Sequence, residues 1–508
     1  MAIKVGTVFN YLQLPNVSKF PFVINKKQDG VFIQKGLFVY TKSNEGFLIG
    51  NIEEIILLNE YFTDALTIKA YNNNNNPNIL KGLFPSEDFE FAIAIVKCLG
   101  LVKFKDKEMK EIERVQRMTY PASPGKGVYI VEEEILNKFL GFDTKFGLNI
   151  GQVKVTNSNA KINMNRLLNK HFAILSISGG GKSYFTSVLI EELLSRKEDY
   201  GTPAIILFDI HGEYTYLKNV PELKDKIKIQ DISYFQIGIP KLSIYAFKKY
   251  QEQISHVQVR ELSKYIKKLK RDKNKRYQYT LNDIIERIEN ESDGNKSTKQ
   301  ALIGWLAELE RLTLFGSQEN PLLDKVVNKQ EITIFNFQKE ISIRKKQIIV
   351  DYICNRIFDL RRTNKIPPFL LIVEEAHQLC PEAAHSKAIS KPIIEMIARE
   401  GRKFMACLCL ISQRPKRLSA TALSQCNSKM VLNIKNPYDL KHLMDSSEAI
   451  TKEYASMISS LGVGEMLLMG NAVNYPVFID VRQRKYKSKV EETTLAQFCL
   501  NWQNKELK

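Results

Sequence analysis

The segment at residues 172–184 limits the possible folds of this chain more than any other. Residues 172–177 form an apolar run short enough to be a buried strand. The glycines at 179–181 then lead into Lys182 and Ser183, and an amphipathic segment typical of a helix follows. A strand, a glycine-rich loop, Lys-Ser and a helix are the setting of a phosphate-binding loop (P-loop) in an α/β fold.

The same loop predicts a nucleotide-binding site. Glycines let backbone N–H groups approach phosphate oxygens closely, and the start of the following helix adds a favourable dipole. Lys182 is predicted to neutralise the β- and γ-phosphates of ATP, and the hydroxyl of Ser183 to hold Mg²⁺. The predicted nucleotide-binding residues of the loop are Ser178, Gly179, Gly180, Gly181, Lys182, Ser183 and Tyr184.

The loop departs from the usual pattern at its first position. G-x-x-x-x-G-K-[ST] begins with glycine, and the residue at that position here is Ser176. Residues 179–182, which lie nearest the phosphates, are intact. We therefore expect nucleotide binding to survive. The alternative is a glycine-rich turn that precedes Lys-Ser by chance.

The net charge restricts the class of partner. The chain has 508 residues, too many for one hydrophobic core, so two or three domains are expected. Its formal net charge of +18 at pH 7 favours a polyanionic partner, nucleic acid first and an acidic membrane surface second. A coding bias toward lysine and asparagine is the alternative explanation, and the asparagine run at 72–76 makes it credible.

Cysteine usage and hydropathy predict a protein of the reducing cytoplasm. The seven cysteines are scattered, with no C-x-x-C pair, so a zinc site is not expected. No apolar run approaches the roughly 20 residues that a membrane span requires, and the N-terminus lacks the apolar region of a signal peptide. We expect a cytoplasmic location and no membrane association.

The hydrophobic pattern divides the chain into regions. Residues 1–150 carry short β-type runs separated by turn residues, which predicts an N-terminal small barrel or sandwich. Residues 151–480 alternate strands and helices, as in a parallel α/β sheet, and helical sequence at about 242–327 predicts an inserted subdomain. Residues 481–508 are polar and basic and are predicted to be a tail or strap. The predicted strands of the α/β region are 172–177, 204–208, 331–337, 369–373, 406–411, 429–434 and 465–469.

Two polar runs lie outside these strands. The asparagines at 72–76 are predicted to form a surface loop. The basic run at 267–276, inside the predicted insertion, fits a solvated helix end and a DNA contact about equally well.

A second apolar strand supplies the carboxylates that an ATPase needs. Residues 369–373 are followed directly by Glu374 and Glu375, at the end of the strand where α/β folds place their ligands. Glu374 is predicted to hold the hydration shell of Mg²⁺, in a position where Asp is more common. Glu375 is predicted to orient and deprotonate the water that attacks the γ-phosphate.

The next strand contributes a predicted sensor and is preceded by basic residues. Gln413 follows the predicted strand at residues 406–411, and its amide is predicted to detect the γ-phosphate. Arg399 and Arg402 precede this strand and are expected to place positive charge near the catalytic edge. In ring ATPases a neighbour's arginine stabilises the transition state, and Arg402, then Arg399, are the candidates for this role. The alternative is that both are ordinary surface arginines.

A set of motifs, in this order, identifies a family. They are Lys170-His-Phe-Ala-Ile-Leu175 with Gly-Gly-Gly-Lys-Ser, Asp209-Ile-His-Gly-Glu-Tyr214, Glu374-Glu-Ala-His377, Arg399-Glu-Gly-Arg-Lys403, Ser412-Gln-Arg-Pro415, Ser424-Gln-Cys-Asn427 and Asn436-Pro-Tyr-Asp-Leu440. Together they resemble the HerA family of hexameric DNA-translocating ATPases, within the larger HerA/FtsK group. The matching motifs extend from about residue 120 to 480.

The resemblance implies a RecA-like motor with an N-terminal barrel of the HAS type, assembled as a six-membered ring around duplex DNA. It implies that Asp209 and Glu213 lie near the nucleotide and that Lys170 contacts it. The helical insertion and a C-terminal brace would contact neighbouring subunits. Family members work with a NurA nuclease in DNA end resection, and others serve anti-phage systems beside effector nucleases or sirtuin-type NADases. A further departure is Gly180, where the family often has serine.

With this resemblance, the site residues imply an ATP- and Mg²⁺-dependent hexameric translocase or helicase on double-stranded DNA. It would act with a partner nuclease in DNA end processing and repair, or in anti-phage defence. One alternative is a motor for conjugation or secretion, although such motors usually carry membrane segments. Another is a nucleotide-gated ring scaffold that activates an effector. DNA-stimulated ATP turnover distinguishes these functions.

Overall fold

The structure is a computed structural model. It describes residues 3–10, 14–25, 32–59, 62, 64–73, 90–105, 112–272, 278–292, 294–382, 387–446, 450–486, 496, 497, 499 and 500. Contacts divide the chain into two compact units, Met1–Asn163 with Val473–Asp480 and Met164–Ala472 with Val481–Lys508. Within the described part of the chain, no helix combines the length and apolar character of a membrane span.

The first unit contains a closed antiparallel β-barrel. Its strands are β1 (Lys4–Val8), β2 (Lys19–Ile24), β3 (Phe38–Ser43), β4 (Gly46–Asn59), β5 (Glu90–Phe104), β6 (Ile112–Gln116) and β7 (Gly127–Ile130). They pair in the order β2-β1-β7-β3-β4-β5-β6, and a further pairing of β2 with β5 closes the barrel. Side chains such as Phe20, Phe22 and Leu48 fill its interior. The β2–β5 pairing closes a ring of six strands, and β6 pairs with β5 outside the ring, so of the two predicted alternatives the barrel is confirmed.

The first unit also has elements outside the barrel. They are α1 (Ala65–Asn73), α2 (Glu133–Leu140), β8 (Leu148–Val153), β9 (Asn159–Ile162) and β20 (Val477–Val481). Of these, α1 lies between β4 and β5 in sequence and the others follow β7. The asparagine run predicted as a loop begins inside α1, which ends at Asn73, and residues 74–76 lie outside the described residues. Strand β8, which pairs with β9, spans the domain boundary predicted at residue 150.

The core of the second unit is an α/β sheet. Its strands are β10 (His171–Leu175), β11 (Ala204–Asp209), β12 (Ile227–Asp231), β15 (Ile332–Asn336), β16 (Phe369–Val373), β17 (Ala406–Ser412), β18 (Cys426–Val431) and β19 (Glu465–Gly470). They lie in the order β12-β15-β11-β16-β17-β10-β18-β19, parallel except for the antiparallel pair β18–β19. All the strands predicted in this region are confirmed. Strand β12 was missed because its sequence, Ile-Lys-Ile-Gln-Asp, is only half apolar.

Helices connect these strands and cover the sheet. They are α3 (Met164–Leu168), α4 (Lys182–Leu194), α10 (Ile343–Arg362), α11 (Ala376–Leu379), α12 (Lys391–Glu400), α13 (Ala420–Ser424), α14 (Pro437–Asp445) and α15 (Lys452–Ser459). The strands β10, β11, β16 and β17 are buried along their whole length, as expected for parallel strands covered on both faces. The predicted α/β core is confirmed.

The predicted inserted helical subdomain is also confirmed. Between β12 and β15 lie β13 (Ile237–Gly238), α5 (Ile244–Tyr250), α6 (His256–Arg271), α7 (Leu281–Glu289), α8 (Lys296–Glu310), β14 (Phe315–Gly316) and α9 (Leu323–Val326). Helix α6 begins at His256, where Ser255 and Gln258 form a capping box. The first part of the basic run at 267–276 forms the last turn of this helix, which ends at Arg271. Residues 273–276 lie outside the described residues.

Buried carboxylates attach the insertion to α10. Asp351, on α10, accepts a hydrogen bond from the Tyr250 hydroxyl at 3.1 Å and pairs with Lys249. Glu319, at the other end of the insertion, accepts from the Tyr352 hydroxyl at 2.8 Å and pairs with Arg356 at 3.3 Å. Such pairs are costly to break once buried, so the base of the insertion is fixed to the helix that precedes β16.

A strap, residues 481–486, crosses the helix that follows the P-loop. The carboxylate of Glu191 on α4 is fully buried and accepts from Arg482 Nη1 at 3.1 Å and from the backbone N–H groups of Lys485 at 3.0 Å and Tyr486 at 3.1 Å. Glu192 accepts from Arg482 Nη2 at 2.9 Å. Most of the predicted tail beyond the strap lies outside the described residues.

Arg482→Ala should lower the free energy of unfolding of the ATPase unit by roughly 3 kcal/mol, because it leaves the charge of Glu191 buried without its cation. Lys485→Ala is the matched control: its ammonium also pairs with Glu192, at 3.2 Å, but is half exposed, so its loss should cost less than about 1 kcal/mol. Denaturant titrations of both variants measure the difference. Equal costs would mean that the strap is not held by the buried pair.

Candidate nucleotide site

The P-loop connects β10 to α4 at the carboxyl edge of the sheet. Gly179 and Gly181 have φ values of 72° and 92°, in the left-handed region that favours glycine. Lys182 opens α4, is almost completely buried, and donates from Nζ to the carbonyl oxygen of Ile177 at 3.0 Å. The loop thus curls around its own lysine, the arrangement that presents backbone N–H groups and a cation to phosphate oxygens.

Ser176 occupies the interior of the loop. It is fully buried, and its hydroxyl donates to the carbonyl oxygen of Asn433 at 3.3 Å. A Cβ atom on Gly180 would lie only 2.0 Å from Ser176 Oγ. The φ angle of Gly180, unlike those of its glycine neighbours, is not positive. Gly180 is therefore glycine for lack of space, and the two departures from the family pattern are complementary.

The predicted catalytic carboxylates follow β16 at the same edge. Glu375 has a left-handed backbone, with φ 46°, and its Oε1 accepts from Gln413 Nε2 at 2.7 Å. Burial raises the pKa of Glu375, while the hydrogen bond from Gln413 and the charge of Lys182 act to lower it. The structure thus brings together the predicted base, the predicted sensor and the P-loop lysine. Their separate sequence positions converge because β10, β16 and β17 are parallel.

Glu374 is turned toward the loop that follows β11. Its Oε2 accepts from the Ile210 N–H at 2.9 Å, and its Oε1 from the Tyr214 hydroxyl at 3.4 Å. Burial raises the pKa of Glu374 well above its ordinary value, and the nearby charges of Asp209 and Glu213 raise it further. A cation would relieve this concentration of negative charge.

Asp209 shapes the loop rather than presenting its carboxylate outward. Its Oδ1 accepts from the N–H groups of Gly212 at 2.7 Å and Glu213 at 3.0 Å, and its Oδ2 from Tyr214 N–H at 3.0 Å. Asp209 is fully buried, whereas Glu213 is exposed and close enough to Lys182 to affect its pKa. Of the two, Glu213 is therefore the one placed to face a nucleotide.

The oxygen donors at this edge fit the chemistry of Mg²⁺. Glu374 and Ser183 provide carboxylate and hydroxyl oxygens beside the P-loop. Within the described residues, no group of three or more His, Cys, Asp or Glu is arranged as a metal site.

Sequence reasoning overlooked three basic residues at this edge. His377 approaches Glu375, with 3.3 Å between Nδ1 and Oε2. Arg414 and Arg417, which follow β17, lie close enough to His377 to lower its pKa. His377 and Arg414 belong to the motifs on which the family resemblance rests, close to Glu375 and Gln413 in sequence. This closeness in sequence was the signal that could have identified them.

Lys170, Arg399 and Arg402 lie at the opposite edge of the sheet. Ser412, the last residue of β17, pairs with Leu175 beside the P-loop, whereas these three residues precede β17 or β10. At about 3.3 Å per residue the strands separate the two edges by roughly 20 Å. The positive charge of Arg399 and Arg402 therefore does not lie at the P-loop edge of its own subunit, because the helix before each strand returns the chain to the edge where the strands begin. Lys170 is likewise far from the P-loop of its own chain.

Arg399 and Arg402 are nevertheless accessible. Arg399 is about half exposed, 3.9 Å from Glu395, and Arg402 is exposed. Their positions are compatible with contact to another subunit. The predicted role in trans stays a prediction.

Comparisons with known proteins find similarity to the helicase HerA. A family model described as the central domain of the helicase HerA matches residues 148–357. The chain is 30% identical over 375 residues to the DNA double-strand break repair helicase HerA of Sulfolobus acidocaldarius, covering 69% of this chain and 71% of that protein. It is 30% identical over 418 residues to a probable DNA double-strand break repair helicase HerA of Methanocaldococcus jannaschii, covering 71% and 81%.

A solved structure supports the fold alone. VirB4 of Thermoanaerobacter pseudethanolicus superimposes with a TM-score of 0.52 at 15% sequence identity, over 68% of this chain and 99% of that one. The P-loop, the strand order and this likeness agree on a P-loop ATPase core.

Gly180→Ser should weaken ATP binding roughly tenfold, equivalent to about 1.4 kcal/mol, because the added Cβ displaces the buried Ser176 hydroxyl from its hydrogen bond. Ser176→Gly removes the obstacle, so the double variant Ser176→Gly, Gly180→Ser should regain most of the affinity. Titrations with a fluorescent ATP analogue measure this cycle. Additive losses in the double variant would show that the two residues are independent.

Proposed function

The chain belongs to the HerA family, and on that premise we propose that it is an ATP- and Mg²⁺-dependent hexameric translocase or helicase acting on double-stranded DNA. It is an ATP-hydrolysing P-loop enzyme. The observation that carries the proposal is the convergence of Lys182, Glu375 and Gln413 at one edge of the sheet, with 2.7 Å between Gln413 Nε2 and Glu375 Oε1. This arrangement has the parts that phosphoryl transfer to water requires.

Each residue of the site has a definite part in hydrolysis. Lys182 neutralises the β- and γ-phosphates, and the N–H groups of the P-loop hold them. Glu375 orients the attacking water and accepts its proton, which the raised pKa of this buried carboxyl favours. The Gln413 amide has two N–H donors, so it can hold Glu375 with one and contact the γ-phosphate with the other.

Ser183 and Glu374 would hold Mg²⁺, which would supply charge neutralisation to the phosphates. The protein groups do the remaining work of binding, orientation and proton acceptance.

In a ring, the basic residues at the edge of the sheet where the strands begin take part in hydrolysis at a neighbouring subunit. Arg402 is exposed and lies about 20 Å from the P-loop of its own chain by strand length, too far to act there. In a ring, the corresponding arginine of a neighbour approaches the γ-phosphate and stabilises the transition state. Arg399 is the second candidate for this finger, and Lys170 would contact the nucleotide only in the same manner.

DNA is the proposed polymer because it agrees with both the relatives and the charge. Of the two HerA relatives, one is named a DNA double-strand break repair helicase and the other a probable one. A formal net charge of +18 suits phosphate contacts, which bind without regard to sequence and weaken with salt. Partnership with a NurA-type nuclease in end processing, or with an effector in anti-phage defence, completes the proposal.

Linear duplex DNA should increase ATP turnover, and the increase should fall steeply as salt rises. The test is steady-state phosphate release with and without DNA at several salt concentrations. Glu375→Gln serves as the control and should hydrolyse ATP at least about 100-fold more slowly while still binding it. Turnover that ignores DNA would favour the scaffold that activates an effector.

Arg402→Ala should hydrolyse ATP poorly although its P-loop is intact, since such fingers are worth up to about 10³-fold or more in rate. Mixing Arg402→Ala with Lys182→Ala subunits should restore some activity, because interfaces with a wild-type P-loop and a wild-type arginine reappear. ATP turnover of mixed rings after verified subunit exchange is the measurement. Mixed rings as inactive as either parent would exclude Arg402, and Arg399 would be tested in the same way.

A further inference from the structure

The two oxygens of the proposed catalytic base have different neighbours. Glu375 Oε1 accepts the hydrogen bond from Gln413 on β17. Oε2 faces the imidazole of His377, with 3.3 Å to Nδ1. Both side chains are largely buried, with exposed fractions of 5% for Glu375 and 11% for His377. The carboxylate is therefore bordered by a nitrogen on each side, one from the next strand and one from the turn of α11 after the base.

Ser412 restricts the rotation of the imidazole. Its Oγ lies 3.3 Å from the same Nδ1 atom and accepts a hydrogen bond from the Arg414 N–H at 3.1 Å. Ser412 is the last residue of β17 and is fully buried, so this contact comes from a rigid strand. The ring of His377 is thus held between a strand end and the carboxylate.

The charge state of the imidazole suits a donor rather than a counter-ion. Burial lowers the pKa of His377 to about 4, and the charges of Arg414, Arg417 and Lys182 lower it further. The ring is neutral near pH 7 and carries one proton. An ionised carboxylate can only accept, so a proton on Nδ1 is the arrangement in which this nitrogen can serve both of its neighbours, Glu375 Oε2 and Ser412 Oγ.

The backbone of Glu375 makes an external support necessary. A non-glycine residue at φ 46° is in a sparsely populated conformation that persists only where the surroundings over-determine it. Glu375 itself lies between the end of β16 and the start of α11, outside both elements. Contacts on both oxygens supply that support.

We propose that His377 is a positioning residue for ATP hydrolysis: its Nδ1, held against Ser412, orients the Glu375 carboxylate from the Oε2 side while Gln413 holds Oε1. This rests on the proposed role of Glu375 as the base. In this role His377 acts through Glu375 and not on the nucleotide or the water. The effect of His377 is to keep the Glu375 carboxylate in the orientation in which it can accept a proton from the attacking water.

Two isosteric substitutions separate this role from a packing role. His377→Asn places an amide nitrogen at the position of Nδ1, whereas His377→Gln places it at the position of Nε2, away from Glu375. Both keep a polar side chain of similar size. We expect Asn to retain most of kcat, and Gln and Ala to lose roughly 10- to 100-fold, the cost of a misdirected catalytic group. The affinity for ATP, measured with a fluorescent analogue, should stay unchanged in all three.

The decisive measurement repeats the comparison in the Glu375→Gln background by single-turnover hydrolysis of radiolabelled ATP. If His377 acts through Glu375, the difference between Asn and Gln at position 377 should vanish there. A persistent difference, or equal rates of the two variants in the wild-type background, would overturn the proposal. Wild-type turnover in Glu375→Gln itself would instead refute the assignment of the base. Should His377→Ala fail to fold, the Asn and Gln pair still decides.

Discussion

The parallel pairing of β10 between β17 and β18 is the constraint on which the site depends. Parallel strands end at the same edge, so the loops after β10, β16 and β17 meet although they are far apart in sequence. The same rule sends the residues that precede these strands to the other edge. One geometric fact therefore places Lys182, Glu375 and Gln413 together and excludes Arg402 from its own active site. Arg402 can serve this chemistry only at the site of another subunit, which is the role proposed for it above.

Desolvation determines how the groups at the carboxyl edge behave. Burial is the largest cause of the raised pKa values of Glu374 and Glu375 and of the lowered pKa value of Lys182. Each group is kept in place by a partner: Ile210 N–H for Glu374, Gln413 for Glu375, and the Ile177 carbonyl for Lys182. In a site with little water, charges on phosphates and cations act on these groups with more force than they would in bulk solvent.

The strap and the insertion attach to helices that border this site. The strap is bound to Glu191 on α4, the helix that starts at Lys182, and the insertion is bound to Asp351 on α10. Helix α10 in turn contacts the turn after the base, since Gln347 Nε2 donates to the Gln378 carbonyl at 3.0 Å. Both peripheral elements are thus fixed, through buried carboxylates, to parts of the chain next to the nucleotide.

The sequence alone determined the elements and their chemistry. The P-loop, the carboxylates after an apolar run, the alternating strands and the helical insertion are local patterns, because backbone preference and hydrophobic period act over a few residues. Tertiary structure decided what those patterns cannot express. It turned Asp209 inward to shape a loop and set Ser176 against Gly180. It brought His377 to the base and moved Lys170 and Arg402 to the far edge. Each of these depends on which strands pair and on which atoms share a buried space, and such contacts join residues that no local period connects.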